Sequence, residues 1–383
     1  MPNMRFNKTL FTLLAITLAS PVLSGVAKDK SQSHSVASHL EKIVIAHRGA
    51  SGYQPQHSLA SKQLAFEMGA DYIEQDLVLT KDDRLIVLHD VYLEKVTDVA
   101  ERYKNRARSD GHYYAIDFTW DEIATLERKS LRKGVFKVHL FEQELALIQK
   151  LNRITGQDVG IYPEIKNPSF HRHEGKDISR KVLKVLAKHG YTKRSSKVYL
   201  QSFDASELQR IRYTLLDEYQ MDIKLVQLIA QTRWGITSVY SEQGVINYQY
   251  DWMLKAGAME QIAQYAQGIG PYKEMLIKNS ASADKLQISH LAKEAHSANL
   301  VVHPYTFRRN ERRKANYASS LEEQLEIFYF KVGVDGVFTD FPDVAVDLLK
   351  SKAVNTGVYA YTIDIKFGNG TSQVVSGNVT LIR

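Results

Sequence analysis

The sequence predicts an α/β fold: a TIM-type (β/α)8 barrel with an insertion after the strand that ends at His89 and a C-terminal β-hairpin extension. Short β-branched apolar runs recur between longer segments of helical period, and roughly eight such pairs fit in the central part of the chain. Size agrees, since the 383 residues are 44% hydrophobic and 10% aromatic, enough to fill a barrel-sized core.

Residues 1–27 are read apart from the barrel, as a signal peptide: Arg5 and Lys8 precede the apolar segment Thr9 to Ala19, and Gly25 and Ala27 suit a cleavage site. The apolar run is interrupted by Thr12 and Thr17 and falls short of the ~20 residues of a membrane-spanning helix. With no cysteine the chain must be stable without disulfides, and the expected location is a bacterial periplasm. Residues 28–41, polar and Ser-rich, are expected to be a linker. The formal charge is +7, about +5 without the leader, and it is spread along the chain. That pattern gives no reason to expect nucleic acid or stable membrane insertion, and it suits an anionic small molecule.

The barrel is expected over 42–350. Its strand runs are Ile43–Ala46, Tyr72–Leu79, Leu85–Leu88, Val159–Ile165, Lys197–Gln201, Leu225–Ile229, Gly268–Gly270, Leu300–Tyr305 and Gly336–Thr339. Between them, helices are expected over Ser58–Met68, Glu142–Thr155, Asp177–His189, Asp204–Glu218 with Asp204 as cap, and Gln287–Ala298. The five residues between Leu79 and Leu85 are too few for a crossover helix, so those two runs read as a hairpin. Residues 91–118, rich in Tyr, Arg and Asp, read as an insertion. In the extension, 351–383, period-two alternation around Gly368-Asn369-Gly370 reads as a hairpin, expected to pack on the barrel or, less readily, to bind a partner.

Side chains at the carboxyl ends of barrel strands converge on one mouth, and four runs end in polar groups: IVIAHRG, YIEQDLV, LIVLHD and IYPEIK. Glu74 and Asp76, two apart on a strand, share a face. With Glu164 they make three hard oxygen donors, the set for Ca²⁺ or Mg²⁺ rather than Zn²⁺. Each carboxylate alone is more simply a surface or ion-paired group, but three that interrupt apolar runs would be expensive to bury without a cation. His47 and His89 end the first and third runs, where two imidazoles can serve as base and acid around one reacting centre. Arg48 and Lys166 suit an anionic oxygen, so the set points to phosphoryl transfer. Phe203 and Tyr305 could line the pocket, while His303 and Asp340 fit core, capping or turn roles equally well. His57, His112, His139, His171 and His173 fall in loops or insertions and are expected to be solvated.

HRGASGY, ADYIEQDLVLTKDDRLIVLHD, YPEIK, VYLQSFD and GVFTDFPD, in this order, closely resemble the glycerophosphodiester phosphodiesterase family, in particular its periplasmic bacterial branch, over about Lys42 to Leu349. The resemblance implies a barrel enzyme that hydrolyses glycerophosphodiesters to an alcohol and sn-glycerol 3-phosphate. It implies one divalent cation, Ca²⁺ before Mg²⁺, on Glu74, Asp76 and Glu164, catalytic histidines at His47 and His89, and Arg48 and Lys166 on the phosphate. One position departs: the family usually has Pro-Glu after the HRG turn, and this chain has Pro55-Gln56. A neutral amide there would weaken the cation or His47 if the carboxylate serves them, and would matter little if it only neighbours Arg48. Two other readings of the chain are a catalytically weak exported binding protein on the same barrel and a phosphodiesterase for other phospholipid head groups.

Overall fold

The computed structural model describes residues 42–127, 136–242, 244–278, 282, 285–309 and 315–353, and the backbone of 357–366 and 372–381. The expected signal peptide and linker lie outside them. Eight parallel strands form the barrel: β1 (Ile43–Ala46), β2 (Tyr72–Leu79), β4 (Gly160–Ile165), β5 (Tyr199–Ser202), β6 (Lys224–Ile229), β9 (Gly268–Pro271), β10 (Val301–Val302) and β11 (Gly336–Thr339). They are ordered β10-β9-β6-β5-β4-β2-β1-β11. Between β10 and β11 the join is looser: Asp335 N donates to Val302 O at 3.0 Å, Phe338 N to Pro304 O at 3.0 Å, and Phe307 bridges Thr339. These bonds bring the circle close to closure.

The predicted hairpin is present. β3 (Leu85–Val87) runs antiparallel to β2, pairing Leu77 with Val87 and Leu79 with Leu85. β2 therefore overshoots the barrel and β3 returns toward the mouth, until Leu88 N donates to Asp76 O at 2.9 Å. The chain then builds a second apolar cluster from Val91, Leu93, Val99, Phe118, Ile123 and Leu140 with Val78 and Ile86 of the hairpin. A further antiparallel hairpin, β7 (Ser238–Ser241) with β8 (Gly244–Asn247), interrupts the β6 to β9 connection and was not expected from the sequence. In a separate unit, β12 (Gly357–Lys366) pairs antiparallel with β13 (Ser372–Leu381).

Helix starts follow side-chain chemistry. Ser58 accepts from Ser61 N at 3.1 Å, Asp177 from Arg180 N at 3.1 Å and Asp204 from Glu207 N at 3.0 Å, each satisfying an otherwise orphaned amide. The helix expected over Asp204–Glu218 widens into a π segment at Ile211–Leu215, and the one expected from Gln287 begins at Leu291. The seventh barrel strand, β10, is also shorter than the run Leu300–Tyr305.

Ile45, Tyr72, Tyr162, Val226 and Phe338 fill the barrel interior. Tyr162 stacks on Tyr199 with ring centres 5.0 Å apart, and its hydroxyl bonds His303 Nδ1 at 2.8 Å. His303, 1% exposed, is a core residue beneath the mouth. Gly160 makes this floor possible, because a Cβ there would lie 2.5 Å from the Tyr72 ring. Outside the strands, Leu145, Ile148, Val182, Leu183, Leu186 and Leu208 cover the barrel. Full burial of such side chains is worth ~1.5–3 kcal/mol each before chain entropy is counted.

Candidate active site

Where β1 ends, Arg48 and Gly49 take left-handed φ values of 58° and 84°. A Cβ on Gly49 would sit 2.5 Å from Ser61 Oγ, so only glycine fits this turn. Ser61 Oγ and His57 N both donate to Arg48 O, at 3.0 and 2.9 Å, and lock the bend. The bend places His47 and Arg48 at the wall of a cavity of about 1100 Å³. Glu74, Asp76, His89, Glu164, Lys166, Phe203 and Tyr305 also line it, so all nine sequence-predicted site residues meet in one place.

The carboxylates are buried: Glu74 is 2% exposed, Asp76 1% and Glu164 6%. Burial, and then the charge of Asp76, hold the Glu74 carboxyl well above the usual range. Burial followed by Asp76, partly offset by Lys166, pushes Glu164 up to about 7. For Asp76 burial works upward too, but Lys166, His89, Arg48 and the His57 hydrogen bond overcome it and hold the group well below its ordinary value. Three buried acids of which two resist ionisation form an environment short of positive charge. Lys166 supplies some of it, with Nζ 2.7 Å from Glu164 Oε1 and 3.6 Å from Asp76 Oδ1. Arg48 supplies more, its Nε 3.3 Å from Asp76 Oδ2 and its amide donating to Glu74 Oε2 at 2.6 Å.

Each cavity histidine leans on a carboxylate through Nδ1. His47 Nδ1 lies 2.6 Å from Asp340 Oδ1, and His89 Nδ1 lies 2.9 Å from Asp90 Oδ1. His47 holds Asp340 down at about 2, and His89 with Lys95 holds Asp90 low, so both acids are ionised and can only accept. Nδ1 therefore carries the hydrogen in both rings, and Nε2 is left for chemistry. Burial and then Arg48 push His47 down to about 4; burial, Lys166 and Arg48 do the same to His89, although its side chain is 39% exposed. Both imidazoles are neutral at pH 7. Asp340, which the sequence left among core, capping and turn roles, is the partner of His47.

Three of the histidines expected in solvent are buried instead. His57 is 1% exposed with Nε2 2.7 Å from Asp76 Oδ2, and its ring, Glu74 and Asp76 bring ligating atoms within 4.8 Å of one another. Glu164 lies outside that closest cluster and is held by Lys166. His139 bonds Glu144 at 2.9 Å, and Glu144 in turn pairs with the fully buried Lys62 at 2.9 Å. His171 is 1% exposed, and neither ring nitrogen has a hydrogen-bond partner among the described residues. His112, paired with Glu94 at 2.7 Å, and the exposed His173 stay at the surface. A periodicity reading misses His57, because a left-handed turn, not an element, carries it inward.

The glycerophosphoryl diester phosphodiesterase sequence model matches residues 47–344. The chain belongs to that family. Within it, a glycerophosphodiester phosphodiesterase of Haemophilus influenzae is 45% identical over 361 residues, which cover 89% of this chain and 99% of that protein. One of Treponema pallidum is 42% identical over 333 residues, covering 82% and 93% respectively. Among solved structures, an Oleispira antarctica phosphodiesterase in complex with the product sn-glycerol-3-phosphate superposes with a TM-score of 0.54 at 17% identity, over 80% of this chain and 96% of that one. That likeness shows the shared barrel.

This phosphodiesterase-family barrel fits a divalent cation. The carboxyl oxygens of Glu74, Asp76 and Glu164 are the donors, His57 supports Asp76, and two of the three carboxyls are pushed upward for want of positive charge. Gln56, where the family usually has Glu, bonds Arg48: Nη1 donates to Gln56 Oε1 at 2.5 Å. The amide thus neighbours Arg48, the milder of its two possible roles. No helix among the described residues is long and apolar enough to cross a membrane.

Proposed function

We propose that the chain hydrolyses glycerophosphodiesters to an alcohol and sn-glycerol 3-phosphate, with a divalent cation, Ca²⁺ before Mg²⁺, and His47 and His89 as the acid and base pair. The observation that supports this most is the convergence of two neutral histidines, two cations and three buried carboxylates on one cavity.

Arg48 and Lys166 would receive the phosphate, Lys166 as a point charge and Arg48 through a planar fork anchored at Gln56. Glu74, Asp76 and Glu164 would hold the cation, which would neutralise charge at the phosphate and acidify the attacking hydroxyl. One imidazole accepts at Nε2 the proton of the attacking hydroxyl, either water's or the glycerol's own, the latter giving a cyclic phosphate that water then opens, and Asp340 or Asp90 stabilises the imidazolium that forms. The other, having taken up a proton, delivers it to the leaving alcohol. Phe203 and Tyr305, whose rings meet edge to face at 5.8 Å, would add an apolar wall beside Lys166. A leader as described above would place the reaction in the periplasm.

The test is glycerophosphocholine hydrolysis by the purified protein, coupled to detection of glycerol 3-phosphate, with Ca²⁺ and then with EDTA. Product that forms with Ca²⁺ and stops on chelation is the expected result. Absence of product at any metal concentration would favour the binding-protein reading.

A further inference from the structure

Asp76, Glu164 and Gln201 stand at one height on three adjacent strands, because β2 pairs Asp76 with Glu164 and β4 pairs Glu164 with Gln201. Neighbouring strands lie ~4.8 Å apart, and residues opposite each other in a parallel ladder share a face. The carboxamide of Gln201 therefore shares the interior face with the Glu164 carboxylate, and both residues line the cavity. Gln201 is 1% exposed, and its Oε1 is buried without a hydrogen-bond partner among the described residues. A buried amide oxygen left unpaired is costly, and an ionised carboxylate beside it cannot relieve it, since the amide oxygen and the carboxylate oxygens only accept. Gln75 also has an unpaired Oε1, but its amide nitrogen donates to Glu144 at 2.8 Å and it does not line the cavity.

We propose that Gln201 Oε1 is an oxygen ligand of the divalent cation held by Glu74, Asp76 and Glu164. The assignment rests on the metal-dependent reading above. Ca²⁺ takes six to eight oxygens and accepts side-chain amide carbonyls readily. The amide oxygen adds a coordinating atom to the charge that the three carboxylates supply.

Calcium titration calorimetry on the whole chain tests it, with Gln201→Met, which keeps the volume and loses the oxygen, and Gln201→Glu, which keeps an oxygen. Gln201→Met is expected to weaken Ca²⁺ binding by about tenfold, and Gln201→Glu to bind at least as tightly as the parent, with unchanged circular dichroism in EDTA for both. Should Gln201→Met prove unstable, a Gln201→Glu protein that folds but binds Ca²⁺ more weakly than the parent overturns the assignment. Parent-like affinity in Gln201→Met overturns it as well, and a simultaneous fall in kcat/KM would assign the amide to substrate instead. A parent chain that binds neither Ca²⁺ nor Mg²⁺ overturns the metal reading and this assignment together.

Discussion

His57 Nε2 and Asp76 Oδ2 lie 2.7 Å apart in a pocket where each residue is 1% exposed. The bond fixes one carboxylate oxygen and leaves Oδ1 on the side of Lys166. His57→Ala frees the carboxylate to rotate, and outer partners of metal ligands are typically worth 10–100-fold in affinity. Calorimetry of the variant is expected to show at least a tenfold weaker Ca²⁺ constant. His57→Asn, which tolerates the left-handed φ of 58° at this position, is expected to recover part of it.

His89→Ala is expected to keep the fold and the cation but to lose 10²–10⁴-fold in kcat, the usual share of one acid or base. Near parental turnover in the coupled assay would remove His89 from the mechanism.

Gln56→Glu puts a carboxylate against the Arg48 guanidinium, at the 2.5 Å contact now made by the amide. The expected outcome is an unchanged Ca²⁺ constant and a raised KM, because Arg48 becomes partly neutralised toward an anionic substrate. A tenfold gain in Ca²⁺ affinity would show instead that the carboxylate reaches the cation.

Burial pushes His303 down to about 4 and His171 down to about 3, from an ordinary 6.5. Below pH 6.5 the unfolded chain takes up a proton at each while the folded chain does not. Stability is therefore lost as pH falls through 6.5 toward 4 for His303 and toward 3 for His171. The loss at His303 is on the order of 3 kcal/mol. Melting curves between pH 7 and 4 should show the decline, and His171→Gln should make it shallower. An equal slope in that variant would mean His171 titrates normally.

Strand positions and polar strand ends were readable because alternating propensity and period survive in the sequence around Glu74, Asp76 and Glu164. Gln201 ended a strand run as well, yet an amide among charged neighbours draws no attention until its register with Glu164 is known. His57 was misread because its direction comes from a turn that also depends on Gly49 and Ser61. The β7–β8 hairpin escaped notice since Val245 and Ile246, 58% and 60% exposed, bury no face that would impose a pattern. Asp340 needed the closure of β11 onto β1 to become the neighbour of His47, a contact 293 residues apart in sequence.

The overshoot of β2 and the return of β3 assign the two imidazoles to different foundations. His47 is tied through Asp340 to the last strand of the barrel. His89 hangs from a hairpin whose back side belongs to the insertion's own apolar cluster, and Lys95 of that insertion grips Asp90 at 2.9 Å. The gap across which a proton must be accepted and returned is thus a dimension set between two cores. A loosened insertion would disable half of the acid and base pair while the barrel and its carboxylates stayed whole.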